Sequence, residues 1–268
     1  MLRLETCGLC LQKKELQNSH LLPAALYKQL REPSGRSDPN PVIVTRSRAL
    51  TSSKQVSSSF LCADCELRFS VNGENYVVTH CAKRNGSFKL RELLQGASPL
   101  CVDDKNQTAV YDVQQLLDTK ADQYLYFTAS VYWRASAHSW KMGGEQVGKI
   151  CLGEEYQEQF RLYLFGEAAF PKNARVYVHV SSDTQVPLTV TTVPTTFRIG
   201  SAHRHKFCIP GVLFILFLGS EVSKKFDTFA LNGNQRKIMW LCPWQNDSLF
   251  RGILNRIETA TPMGKLRR

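Results

Sequence analysis

Residues 7–28, CGLCLQKKELQNSHLLPAALYK, open with a Cys-x-x-Cys pair, and residues 60–69, FLCADCELRF, repeat that spacing. Two thiolates separated by two residues fit one tight turn with converging sulfurs, and two such pairs complete a tetrahedral site for Zn²⁺. Cys7, Cys10, Cys62 and Cys65 are therefore expected to ligate a structural zinc ion, because four thiolates leave no open position for a substrate. The competing explanation is four scattered core cysteines, since free Cys is among the most buried residue types. Two matched spacings argue against it.

The second pair abuts a helical pattern at ELRFSV, so a hairpin turn would carry the first pair and a helix start the second, the treble-clef arrangement. The Asn72-Gly73 step reads as the end of that helix or a turn. The other five cysteines, Cys81, Cys101, Cys151, Cys208 and Cys242, show no ligand spacing and read as packing residues. An odd total of nine, with no apolar run ahead of Cys7, points to reduced thiols and a cytoplasmic setting rather than a disulfide frame. The most apolar stretch, PGVLFILFLG, is far short of the roughly 20 residues a membrane-spanning helix needs. It reads as a buried strand, and no membrane partner is expected.

A net charge of +11 favours a polyanionic partner, nucleic acid before acidic membrane surfaces. The charge is uneven: residues 1–60 hold nine Lys/Arg against four Asp/Glu, and residues 181–268 hold twelve against five. A solvated basic surface with no partner would look the same. Along the chain the fold class is α+β: an N-terminal zinc-binding unit over 1–80, a connector over 81–120, and an α+β domain over 121–268. The first unit contains a long polar insertion, Arg31 to Ser59, with at most a short strand at VIVT. In the connector, VYDVQQLLD reads as a short helix. Tyr124, Phe127, Val131 and Ala135 recur at helical steps, and GEEYQEQFRLYLFGE forms a second helix with acids in its first turn. From Ala174 onward, Val-, Ile-, Thr- and aromatic-rich runs separated by turn residues predict a mostly antiparallel sheet. His203 and His205 could bind metal, but their alternation beside Arg204 fits a basic surface equally well, and the surface is the reading favoured; His138 reads as a partnered core or interface histidine.

The order Cys-x-x-Cys, Ser19-His20-Leu21-Leu22-Pro23, Cys-x-x-Cys-Glu resembles the zinc-stabilised HNH endonucleases, whose ββα-metal fold is built on a treble clef. SHLLPAALYK, KQVSSSFLCADCELRF and NGENYVV are more closely similar to a divergent bacterial subgroup, often labelled HNH-like, with SHxxP and CxxCE motifs. The resemblance covers about the first 80 residues. It implies that His20 is the general base activating the water that attacks phosphorus. Ser19 stands where the family has a metal-holding Asp, and Glu66 where many members have a final His ligand. A carboxylate there suits Mg²⁺ or Mn²⁺. The place of the family's middle Asn falls at Ser57 and Ser58, with Asn40 further upstream. Glu74 would lie about 12 Å from Glu66 along one unbroken helix, too far to share an ion, an objection that a break at Asn72-Gly73 would relax. A local alternative is that Ser19 caps a helix starting at PAALYKQL and His20 simply packs there.

Two functions compete on this basis. One is a metal-dependent nuclease acting on DNA, with Arg31, Arg36, Arg46, Arg48 and Lys54 contacting phosphates. The other is a catalytically inactive zinc module that binds nucleic acid or a protein partner. A third, a zinc protein whose second domain binds a small molecule, has neither a phosphate loop nor a catalytic triad to support it.

Overall fold

The computed structural model describes residues 4–31, 40, 42–44, 48–116, 119–142, 145–183, 190–199, 202–219, 227–244 and 248–263. The fold is mixed α/β, rich in antiparallel strands, with the four-cysteine cluster near the N-terminus. Strands β1 (Leu4–Thr6) and β2 (Lys13–His20) form a hairpin whose turn holds the first Cys pair, and β5 (Ser57–Cys62) pairs antiparallel with β2. Helix α1 (Ala24–Leu30) follows β2 and begins at Pro23 with no side-chain cap. Ser19 is thus not a cap: it lies within β2, fully buried, and its hydroxyl accepts the Leu61 N–H at 2.9 Å.

Strand β5 runs straight into α2 (Ala63–Phe69), and here the structure departs from the expected helix end at Asn72-Gly73. Residues Ser70–Glu74 form a π turn, sealed by the Asn75 N–H bonding the Ser70 carbonyl, and the helix continues as α3 (Asn75–His80). Tertiary packing overrides the local signal. A Cβ on Gly73 would come within 2.9 Å of the Gln123 carbonyl oxygen and the Phe127 nitrogen, so glycine here permits backbone contact with the next long helix, α5 (Ala121–Ala137), reached by way of α4 (Lys89–Gln95).

Helix α5 is apolar nearly all round, the mark of a helix buried within the protein. Trp133 packs on Phe60 and Phe69, and the Tyr132 hydroxyl donates to the carbonyls of His205 and Phe214 in the sheet below. Helix α6 (Glu154–Phe165) has Glu154 and Glu155 in its first turn and ends at Gly166 with φ 88°, where the Glu167 N–H reaches back to the Leu162 carbonyl. Arg161 of α6 donates to the Leu9 carbonyl in the cysteine turn at 2.9 Å. One apolar cluster includes Cys7, Phe60, Trp133, Phe214 and Leu241, so the N-terminal unit and the sheet share a core.

Among the described residues the main sheet has seven strands. Besides β6 (Cys101–Asp103) and β7 (Thr108–Asp112), these are β10 (Ala174–Ser181), β11 (Thr192–Ile199), β12 (Ala202–Ile209), β13 (Val212–Leu218) and β14 (Ile238–Cys242), the short β8 (Lys141–Met142) and β9 (Glu145–Gln146) pairing separately. The order is β11-β12-β13-β10-β14-β7-β6, antiparallel except for β10 with β14. Strand β13, the VLFILFL run, is buried mid-sheet as expected. Residues 101–112, expected within a connector, supply two strands of this sheet. Over its described residues, 110–116, VYDVQQLLD is therefore not the expected helix: the first residues belong to β7, and of these seven only Val113–Gln115 turn helically. His205 is fully buried, contrary to a surface position, because α5 covers that face; the His203 side chain lies outside the described residues.

A third sheet joins distant parts of the chain. Strands β3 (Val42–Val44) and β4 (Arg48–Thr51) of the polar insertion pair antiparallel, and β15 (Thr261–Pro262), reached through helix α7 (Ser248–Thr259), pairs parallel with β4. No helix among the described residues is long and apolar enough to cross a membrane.

Candidate metal centre and adjoining polar site

The four sulfurs of Cys7, Cys10, Cys62 and Cys65 all lie within 4.8 Å of one another. The Cys10 and Cys62 sulfurs are 3.9 Å apart, close to the roughly 3.8 Å edge of a tetrahedron with 2.3 Å metal–sulfur bonds. The cluster can therefore hold a structural metal such as zinc. Local sequence builds it. The Cys7 N–H bonds the Gln12 carbonyl, the Leu11 N–H returns to the Cys7 carbonyl, and Leu11 takes a positive φ of 60° to close the turn. A Cβ on Gly8 would sit 2.1 Å from the Phe60 ring, so that residue is fixed by close approach. The Cys62 N–H donates to the Cys7 sulfur at 3.3 Å. Thiolate character concentrates on Cys7: its pKa is drawn down to about 4, first by the Cys65 thiol and, against burial, by the N–H groups of Cys10, Cys62 and Leu9. The same hydrogen bond pushes Cys65 up, with burial adding to it. A bound metal would replace that proton sharing.

The β2–β5 ladder carries this anchor to His20. Leu16 stands opposite Cys62, and four residues on, about 13 Å along the strand, His20 stands opposite Ser57 and Ser19 opposite Ser58. His20 is half-buried and its pKa is lowered, first by burial and then by the Arg134 guanidinium, with Glu74 and Gln55 opposing. Glu66, in the first turn of α2, is raised by burial, against the pull of Ser19 and Arg134. Its Oε1 is buried without a hydrogen-bond partner among the described residues. Ser19, His20 and Glu66 thus gather in one neighbourhood. Among the described residues, however, the four cysteines are the only group of three or more His, Cys, Asp or Glu side chains close enough to hold a metal ion.

What occupies the middle of this neighbourhood is Arg134, a residue the sequence reading did not select. It is almost wholly buried on α5. Its Nη2 bonds Glu74 Oε1 at 2.5 Å, its Nη1 the His20 carbonyl at 2.8 Å, and its Nε the Ser130 carbonyl at 3.3 Å, with its plane over the Phe69 ring. The π turn explains how Glu74 reaches it. Eight residues in an unbroken α-helix turn Glu74 about 80° away from Glu66; one inserted residue makes the interval equivalent to seven, restoring a common face within roughly 20°. The signal for Arg134 was present as a lone charge in the otherwise apolar run SVYWRASA.

Of the five phosphate-contact candidates, two have described side chains. Arg31 and Lys54 are exposed; Arg48 lies on β4 with its side chain outside the described residues, as are Arg36 and Arg46 entirely. Of the other cysteines, Cys81 and Cys208 are buried and Cys242 half-buried, but Cys101 and Cys151 are exposed and so do not pack. His138 is half-buried against Phe60 and Trp140, and its Nε2 has no hydrogen-bond partner among the described residues. Comparison with protein-family models, with curated proteins and with solved structures returns no match.

Proposed function

We propose that residues 1–80 are an HNH-like treble clef stapled by one zinc ion, and that the module binds nucleic acid without hydrolysing it. The hairpin turn and helix start that carry the two Cys pairs support the treble clef, and the four-sulfur spacing suits zinc. The observation that favours binding over hydrolysis is Arg134. A hydrolytic site of this kind needs a divalent cation beside the general base to offset charge on the phosphate oxygens. Here Ser19 offers no carboxylate, Glu74 is engaged by the guanidinium, and the fixed positive charge of Arg134 repels Mg²⁺ or Mn²⁺ from the neighbourhood of Glu66. The basic residues Arg31, Arg36, Arg46, Arg48 and Lys54 of the insertion then hold the phosphate backbone.

A second reading, DNA hydrolysis with His20 as general base, is favoured by one feature: a half-exposed imidazole whose lowered pKa keeps it neutral at physiological pH. One experiment separates the two. The full chain is titrated with labelled duplex DNA at several salt concentrations, and plasmid is incubated with it under Mg²⁺, Mn²⁺ and EDTA. Salt-sensitive binding with intact supercoiled plasmid supports the binding module. Cation-dependent nicking that disappears in His20→Ala, with zinc content unchanged, would replace it with the nuclease.

A further inference from the structure

Helix α5 packs on one face of the seven-stranded sheet, where Phe127 meets Phe207 and Phe214. On the opposite face the ladder registers set Phe197 of β11 beside Arg204 of β12, Arg204 beside Phe217 of β13, and Phe217 beside Arg175 of β10. One row across four strands therefore alternates ring and cation. Trp244, Phe250 and Leu254 join Tyr177, Leu213 and Ile215 in an apolar cluster on this face, and Phe197 and Phe217 pack against it. Both rings stay partly exposed, as do Arg204 and Lys206. The cations lie on the rings: the Arg204 guanidinium is 4.2 Å from the centre of Phe217, and the Lys206 ammonium is 5.3 Å from that of Phe197. Two residues apart on one strand, Arg204 and Lys206 share a face about 7 Å apart. Arg175 at the end of the row is engaged by Asp227. Arg204 differs. Its Nε is buried and meets no hydrogen-bond acceptor among the described residues, so the guanidinium has capacity that the chain does not use. Residues 192–218, which include strands β11 to β13, hold three Lys/Arg and no Asp or Glu.

We infer that this row is a binding face for a single-stranded nucleic acid, with Arg204 and Lys206 holding phosphates and the Phe197 and Arg204–Phe217 stacks receiving unpaired bases. Cations set against rings are fixed in place before a partner arrives, and a guanidinium stacks on a base as it does on a ring. Aromatic side chains on an antiparallel sheet face stack splayed bases, whereas the bases of a duplex are already stacked on one another. An acidic peptide would use the two cations and leave the rings idle. The inference goes beyond the reading of residues 1–80: it concerns another surface and another form of the polymer, and it can fail while duplex binding by the N-terminal module stands.

The test measures binding of labelled oligo(dT) and oligo(U), each of about 15 nucleotides, to the full chain by fluorescence anisotropy across salt. A duplex of arbitrary sequence and anionic vesicles are the comparison partners. Arg204→Met/Lys206→Met keeps apolar cover over the rings and removes both charges; at about 0.7 per phosphate contact on a single strand, it lowers the slope of log affinity against log salt by about 1.4. Phe197→Leu leaves the slope unchanged and weakens single-strand binding roughly 5- to 150-fold, the range for one lost stacking ring. A control, Lys89→Met/Lys105→Met, exposed on α4 and in the β6–β7 turn, changes neither. Circular dichroism and Tm verify folding, and photo-crosslinking of the wild type to a thiouridine oligonucleotide, mapped by mass spectrometry, reads the site without any variant. Crosslinks within residues 192–218 support the sheet face. Crosslinks confined to residues 1–80, or unaltered slope and affinity in both folded variants, overturn it and spare the N-terminal reading. So does duplex binding by a wild type that ignores both single strands. Binding to anionic vesicles alone overturns both.

Discussion

Replacing Arg134 by Met removes the guanidinium and keeps most of the side-chain volume. Glu74, whose side chain is 13% exposed, then loses its only ion-pair partner among the described residues, and the His20 carbonyl loses a 2.8 Å donor. Removing one member of a buried pair costs about 3–5 kcal/mol, because the remaining charge stays desolvated. Unfolding entropy near 2.1 cal/mol/K per residue gives about 0.56 kcal/mol/K for a chain of this length, so the expected loss in Tm is about 5–9 °C. The assay is thermal and urea unfolding of wild type, Arg134→Met, Glu74→Met and the double variant. Since two apolar side chains can replace a buried ion pair at little cost, the double variant should be more stable than Arg134→Met alone, with a coupling of about 2 kcal/mol or more. A loss below about 1 kcal/mol in Arg134→Met, or strictly additive effects, would refute the pairing on which the exclusion of a divalent cation depends. The same variant should also gain thermal stabilisation on adding Mn²⁺, which the wild type should lack.

Gly73→Ala drives a methyl into the backbone of α5 at Gln123 and Phe127 and should cost about 1–3 kcal/mol, read from the urea midpoint; unchanged stability would show that the helices do not approach so closely. His138 has a folded-state pKa lowered by burial, so the unfolded chain takes up a proton first as pH falls. Its contribution is complete above the ordinary histidine value of 6.5 and is lost as pH drops below it, an effect that His138→Gln should diminish; a His138 NMR titration midpoint above 6.5 would contradict this.

Helices α5 and α6 were legible because their apolar steps and acidic first turns are local properties that packing reinforced, as at Tyr124, Phe127, Val131 and Ala135. The cysteine cluster was legible because ligand geometry restricts spacing within each pair. Long-range pairing set the rest. Val110 and Tyr111 carry a helical pattern, yet the ladder with β14 extends them as a strand. Asn72-Gly73 is a helix breaker by propensity, but contact with α5 rewards a π turn instead of an end. Strand β15 pairs across more than two hundred residues with β4, and nothing local in Thr261-Pro262 announces it. Arg134 reached the polar site from α5, a helix that sequence alone assigned to a separate unit.

The measurement closest to the central claim is metal analysis of the purified, untagged chain together with X-ray absorption at the zinc edge. The account predicts one zinc per chain, bound by four sulfurs at about 2.3 Å, with a lowered Tm on chelation and loss of the ion in Cys10→Ser/Cys65→Ser. Protein that is folded and free of zinc, or a zinc shell of nitrogen and oxygen, would contradict it.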